Sequence, residues 1–305
     1  MLKNLRHEGY LALGAVFFAV SSVPAKLVME GGFSAWRLTQ IRTAGAFLIL
    51  FTYVFLKNKK SLRVELKELP MLIIFGLFGF AVVNVFYFLA ILRLNVGIAL
   101  IIEFTAPIWI ALWIRFIQKK AVSPLMWWGL VVGLTGLLLI AQVWRGLTLD
   151  GLGMIYALLD AFALAIYFLV GEKLVGKKSS EATMAWGFGI SSLFFAILLP
   201  WWQFPFAKLG DIVALTGRFE GSSIPTYYLV LWVVFFGTAV PYFLVLNGLR
   251  GLSAATSSAI GMLEPVFGGI FAWIFLYEKL SFVQSIGAGV VLVGIYLANR
   301  ARTSI

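Results

Sequence analysis

Apolar residues fall in ten runs, each close to the roughly 20 residues a helix needs to cross a hydrocarbon core, and polar residues gather in the short gaps between. The runs cover residues 9 to 29, 34 to 56, 70 to 92, 96 to 116, 124 to 144, 151 to 171, 181 to 201, 227 to 249, 253 to 276 and 281 to 299. This pattern predicts an all-α membrane protein with ten transmembrane helices. Two gaps are longer than a turn. Residues 57 to 70 space Leu62, Leu66 and Leu69 at helical intervals among charges, which suits a short helix on the membrane surface or, equally, a solvated linker. Residues 202 to 225 are too short and too rich in Gly and Pro for a domain, and read as a loop tolerant of insertion rather than a cover over an entrance.

Composition agrees with this reading: 62% of the 305 residues are hydrophobic and 12% charged, about half the charged share of soluble domains. The formal charge of +11 is scattered among the gaps instead of gathered on one face, which argues against nucleic-acid binding. Sixteen Lys and Arg fall on the side that holds both termini, six on the other, and Arg37 and Arg42 lie inside the second run. By the positive-inside rule both termini are cytoplasmic and the protein belongs in the inner membrane. The first run is of full membrane length with no small-residue cleavage site after it, so it reads as an uncleaved first span.

Several chemistries lack their parts. There is no cysteine for a disulfide, thiolate metal site or nucleophile, and the single histidine, His7, lies in the N-terminal tail, so Ser-His hydrolysis and His-ligated zinc chemistry lack their parts. No GxxxxGK[ST] stretch is present to cradle nucleotide phosphates. Neither an aspartate-rich diphosphate motif nor a mid-run lysine for a Schiff base occurs. The sequence therefore predicts no enzyme, no cofactor and no metal. A membrane scaffold or an intramembrane enzyme is the rival class.

An internal repeat emerges on shifting the chain by 158 residues. Gly79 then falls on Gly237, Leu94 on Leu252, Pro107 on Pro265, Ser123 on Ser281, Gly129 on Gly287 and Gly136 on Gly294, while Lys26 meets Lys173 at a shift of 147. Residues 1–146 and 147–305 are thus two five-helix repeats. Because five is odd, the second enters the membrane from the opposite side. Inverted repeats relate two states open to opposite sides, as alternating access requires.

The stretch LEPVFGGIFAWIFLYEKLSFVQSIGAGVVLVGIYLANR (263 to 300) resembles the EamA-type, ten-span branch of the drug/metabolite transporter superfamily, with a proline in span nine, Glu278 near its end, a short turn and a glycine-studded last span. TAPIWIALWIRFIQKKAVSPLMWWGLVVGLTGLLLI is its first-half counterpart, except that Lys120 stands where Glu278 aligns. Arg42 resembles an arginine common in the family's second span. The resemblance implies a secondary transporter, usually an exporter of small metabolites such as amino acids, with its cavity between the halves and spans five and ten at the periphery. Their motifs here, GLVVGLTG and GAGVVLVG, suit close helix packing, with a homodimer as one use of that surface.

Four charged residues, Arg42, Glu103, Asp160 and Glu264, lie about 7 to 11 residues into their runs, or roughly 11 to 17 Å at the helical rise. A charge facing lipid at that depth costs at least about 2.5 kcal/mol, so each must face protein, water or a ligand. One arginine against three carboxyls leaves an acidic excess that a coupled proton or a solute's ammonium would balance. Arg42 could instead form a fixed ion pair with a carboxylate, and Glu103 and Glu264 could cap helix breaks at Pro107 and Pro265. Further lining candidates are Ser21, Ser22, Asn84, Tyr87, Tyr156, Trp186 and Tyr242, with Pro24, Pro107, Pro241 and Pro265 as hinges. Trp127, Trp128, Trp201 and Trp202 sit at run ends, as interfacial anchors do. A small-molecule substrate and the bilayer are the expected partners. A sugar-nucleotide, phosphate or drug carrier is the alternative, although phosphate favours several basic groups and Arg42 stands largely alone.

Overall fold

The computed structural model describes residues 2–94, 96–144, 150–276 and 281–301. Ten helices long and apolar enough to span a bilayer run over Leu5–Glu30, Ala35–Leu62, Leu66–Ile91, Gly97–Ile117, Pro124–Ala141, Gly151–Val175, Ser180–Leu198, Thr226–Leu249, Ala254–Phe275 and Phe282–Arg300, numbered here as spans one to ten. Local chemistry sets where several begin. The side chains of Ser34, Ser123, Ser179, Ser253 and Ser281 accept backbone N–H bonds at the starts of spans two, five, seven, nine and ten, and Asp150 does the same for span six. Each cap satisfies an N–H that has no partner inside its helix.

Two pairs of spans are irregular at matching places. Span three passes through a π-helical segment at Leu77–Val82, and span eight does so at Phe235–Ala239, where the first residues are 158 apart. Spans four and nine are broken outright. The helix Val96–Glu103 ends at a turn before Ala106–Leu112, and Ala254–Gly261 ends at Met262 before Leu263–Leu276. Pro107 and Pro265 each occupy the first turn of the resumed helix, where a missing N–H removes no internal bond. Pro241 likewise opens the helix that follows the π segment of span eight. Pro24 is different: it lies inside the unbroken helix Leu2–Glu30, so three of the four hinge prolines mark an interruption and Pro24 does not.

Contacts recur between the halves. Span three packs on span six as span eight packs on span one, span four on six as nine on one, and span three on seven as eight on two. Spans two and seven pack on each other, and so, most extensively of all, do five and ten. Glycines make that last seam. A Cβ at Gly129 would lie 2.6 Å from the Ala298 nitrogen, and one at Gly136 2.6 Å from the Val291 nitrogen; Gly287 and Gly294 face the same crossing. The expected packing surface exists, and these four glycines join spans five and ten to each other within the chain. Leu292, Val293 and Tyr296, on the outer face, are exposed as lipid-facing residues are.

The termini share one end, where Asn299 Nδ2 donates to Glu8 Oε1 at 3.0 Å. At this terminal end the 57-to-70 gap forms two 3₁₀ turns, Lys59–Leu62 and Leu66–Glu68, in place of one surface helix. Lys178 holds it, bonding the Arg63 carbonyl at 2.7 Å and the Glu68 carboxylate at 2.9 Å. At the opposite end the 202-to-225 loop is structured. Its strands β1 (Ile212–Ala214) and β2 (Ser223–Pro225) pair antiparallel, Lys208 Nζ donates to the Gly32 carbonyl at 2.8 Å, and Phe219 stacks on Phe275 of span nine. The loop is therefore a cover seated on spans one and nine, contrary to its reading as an insertion-tolerant connection.

Candidate functional site

Spans one, two, three, four, eight and nine surround a narrow chamber of about 70 Å³. Ser21 and Ser22 of span one, Arg42 of span two, Asn84 and Tyr87 of span three, Glu103 of span four, Tyr242 of span eight and Glu264 of span nine all line it. Most of the residues singled out from the sequence therefore converge. Arg42 is 5% exposed, Glu103 8% and Asp160 1%, so three charged side chains are placed almost wholly inside the fold.

Arg42 does not pair with a carboxylate. Its Nε donates to Thr238 Oγ1 at 2.8 Å and its Nη2 to the Gly237 carbonyl at 2.7 Å, while the guanidinium lies 5.2 Å from the centre of the Phe88 ring. Among the described residues no carboxylate oxygen comes within 4.0 Å of it, which overturns the fixed ion pair. The π segment of span eight explains the choice, because Gly237 and Thr238 lie within it and present both acceptors to span two. Widened turns of this kind often accompany functional sites. Thr238 is the residue that sequence reasoning missed; a hydroxyl inside an apolar run three residues before Pro241 was its only signal.

The acidic groups have few partners of their own. Glu103 Oε2 and Asp160 Oδ1 are buried without a hydrogen-bond partner among the described residues, as are the hydroxyls of Ser21 and Tyr87. Glu103, Asp160 and Glu264 lie within electrostatic reach of one another. Asp160 is set behind the chamber wall and does not line it. Leaving such groups unpaired costs about 1–3 kcal/mol each and more when charged, which a fold has little reason to retain unless a solute or proton visits them. No three His, Asp or Glu side chains among the described residues group as metal ligands would.

Asn84 and Tyr242 occupy equivalent positions, 158 residues apart, and bond each other: Asn84 Nδ2 donates to the Tyr242 hydroxyl at 3.2 Å. Tyr242 also joins an aromatic cluster that fills the terminal side of the chamber. Its ring centre is 5.0 Å from Phe18, 4.9 Å from Phe80, 5.5 Å from Tyr167 and 5.5 Å from Phe188. Towards the hairpin end the chamber widens instead into a vestibule of about 470 Å³, which Glu264 and Tyr87 share and which Lys26 and Gln284 line near its mouth. The site is open on one side and plugged on the other.

Two candidates stand elsewhere. Trp186 faces an apolar groove with Phe47, Phe51 and Leu62, and its Nε1 donates to the Leu62 carbonyl at 3.0 Å. It fastens the 3₁₀ turn to span seven. Tyr156 packs on Phe86, with ring centres 5.7 Å apart, outside the chamber lining. Their periodicity marked an inward face without saying which cavity that face meets. Glu278 lies outside the described residues.

A family model described as EamA-like transporter family matches residues 7–142 and again residues 151–300. The chain belongs to the EamA-like transporter family. EamA-like relatives extend along most of it. An uncharacterized inner membrane transporter, YicL of Salmonella typhimurium, is 24% identical over 96% of this chain and 96% of its own. The threonine/homoserine exporter RhtA of Escherichia coli is 30% identical over 84% of this chain and 78% of its own, and an uncharacterized transporter, YdfC of Bacillus subtilis, is 27% identical over 75% and 71%. A solved crystal structure of 15% sequence identity covers 99% of both chains with a TM-score of 0.74, so the two share one fold from end to end. The family match agrees with a transporter and not an enzyme.

Proposed function

We propose that this protein exports small metabolites with an amino-acid-like head, by alternating access between two inverted repeats, residues 1–146 and 147–305. It does so across the inner membrane with both termini in the cytoplasm. One observation carries the substrate reading. Arg42 and Glu264 line a single chamber, and Arg42 is held by Thr238 and Gly237, not neutralised by an acid. Those bonds engage Nε and Nη2. Nη1 is left for a solute carboxylate, which guanidinium recognises well. Glu264, with Glu103 behind it, supplies the opposite charge for an ammonium group. A phosphate would meet one guanidinium among carboxyls, a poorer match.

The mechanism follows from which side is open. The vestibule reaches the hairpin end, which is periplasmic in this orientation, and the aromatic cluster around Tyr242 closes the cytoplasmic side. Export then requires a second state in which the cluster parts and the vestibule closes. The helix breaks beside Glu103 and Glu264 place the jointed backbone of spans four and nine next to the bound solute. Solute and proton would compete for the same carboxyls, which couples export to a proton gradient. The likeness to RhtA, whose name records threonine and homoserine export, supports an amino-acid head.

The test is uptake of labelled amino acids and nucleobases into liposomes containing the purified protein, with and without a proton gradient. Saturable uptake of amino acids, stimulated by the gradient, is expected. Saturable uptake confined to nucleobases, or none of either class in vesicles shown to be tight, would overturn the amino-acid reading.

A further inference from the structure

A second cavity adjoins the charged chamber and carries no charge. It lies between spans one, eight and nine under the hairpin, with a volume of about 470 Å³. Leu27, Tyr228, Trp232, Phe271, Phe275 and the hairpin's Phe219 are among the largest side chains on its wall. Ser22 lines this cleft, the vestibule and the charged chamber alike. Ser22 is therefore a wall common to all three spaces.

We propose that the cleft binds the apolar arm of an amphipathic solute whose ionic head sits between Arg42 and Glu264, so that aliphatic or aromatic side chains are preferred over small hydroxylated ones. The inference rests on the head-group reading above and adds the rest of the solute. Size supports it: a chamber of about 70 Å³ holds a few waters' worth of volume, enough for an ammonium and a carboxylate but not for a long side chain. Chemistry decides between the two exits. An arm in the vestibule would lie against Lys26 and Gln284, whereas the cleft presents hydrocarbon and aromatic rings. Transfer of each methylene from water to such a wall strengthens binding about fourfold. The hairpin, seated by Lys208 on Gly32 and by Phe219 on Phe275, covers this cleft at its outer end. That position gives the ordered loop a role the vestibule alone does not require.

Two substitutions change the cleft in opposite directions. A Cβ at Gly268, on the wall that cleft and vestibule share, meets no atom within 4 Å, so Gly268→Phe places a ring in open space without displacing backbone, and the cleft-specific reading falls to the second substitution. Trp232 lines the cleft and not the vestibule, so Trp232→Ala lengthens it. The experiment is calorimetric titration of the full-length protein in nanodiscs with straight-chain L-amino acids from alanine to 2-aminooctanoate, and with 1-alkylamines of the same lengths, subtracting empty nanodiscs. Affinity in the unaltered protein is expected to rise about fourfold per methylene. The rise should flatten in Gly268→Phe and continue to longer arms in Trp232→Ala.

If affinity does not depend on arm length, or if both variants keep the original dependence, the inference is overturned while the charged-head reading stands. If only the amines show the rise and the variants alter it, the cleft is upheld and the amino-acid head is wrong. If Gly268→Phe binds neither series, the slope in Trp232→Ala decides. A phospholipid that native mass spectrometry finds on the unaltered protein and not on Gly268→Phe, together with a flat series, would assign the cleft to the bilayer and also overturn the inference.

Discussion

The seam between spans five and ten and the chamber between spans three, four, eight and nine are built from the same duplicated sequence, yet they treat polar groups in opposite ways. In the seam, backbone meets backbone through Gly129, Gly136, Gly287 and Gly294, and Gln142 and Ser281 bond to each other across its edge. Around the chamber the matching spans are irregular, with π segments in three and eight and breaks in four and nine, and buried oxygens of Glu103 on its wall and Asp160 behind it have no hydrogen-bond partner among the described residues. One fold is thus close-packed along the seam and leaves polar groups unsatisfied around the chamber. The difference marks the site better than any single motif does.

The largest effect should come from breaking the seam. Gly136→Leu puts a Cβ 2.6 Å from the Val291 nitrogen and 2.8 Å from the Gly287 carbonyl, both backbone atoms that cannot step aside. Overpacking of this kind costs about 1–3 kcal/mol or more. Thermal unfolding of the detergent-solubilised protein should shift sharply downward. Gly289→Leu, in span ten of the same pair but with nothing within 4 Å of its Cβ, should hold or gain stability. Equal losses at both glycines would show that the seam is not what joins the spans.

Next in size is the chamber's own arginine. Arg42→Ala should lower transport about tenfold to a hundredfold, the worth of hydrogen bonds to a charged group, while the protein still purifies as a single species. The geometry also says which partner matters. In double-mutant cycles of transport, Arg42→Lys should couple to Thr238→Val by more than about 0.5 kcal/mol and should not couple to Glu103→Gln. The reverse outcome would restore the ion pair that the structure rejects.

A smaller, qualitative effect is expected of the carboxyls. Glu103→Gln with Asp160→Asn should retain solute uptake down its own gradient but lose stimulation by an imposed proton gradient; uptake still stimulated to the full extent would remove these groups from coupling. Smallest is the clasp at the terminal end. Lys178 and Glu68 are 11% and 15% exposed, so Lys178→Ala should cost about 1 kcal/mol of stability and leave the chamber untouched. A large loss of transport without a matching loss of stability would instead implicate the 57-to-70 segment in the conformational cycle.

The ten spans were legible because length and hydropathy are local properties. Glu103 and Glu264 beside Pro107 and Pro265 already pointed to interrupted helices. Trp186 and Tyr156 were misplaced for a physical reason: an inward helical face fixes a direction about one axis but not which of several cavities lies there. The glycine runs were read as packing surfaces, and only the partner helix was open. The hairpin loop was underrated because its composition resembles a linker, while its order comes from Phe219 on Phe275 and Lys208 on Gly32.

By itself, then, the sequence determined the number of spans, their duplication at a 158-residue offset, and the small set of charges buried at mid-depth, since each follows from hydrophobicity and residue identity along the chain. Tertiary structure decided who meets whom. Arg42 reaches Thr238 across 196 residues and Asn84 reaches Tyr242 across 158, and spans five and ten close on each other. Such pairings depend on which helix faces pack together and on where a π turn widens the backbone, and neither is written in the periodicity of one span.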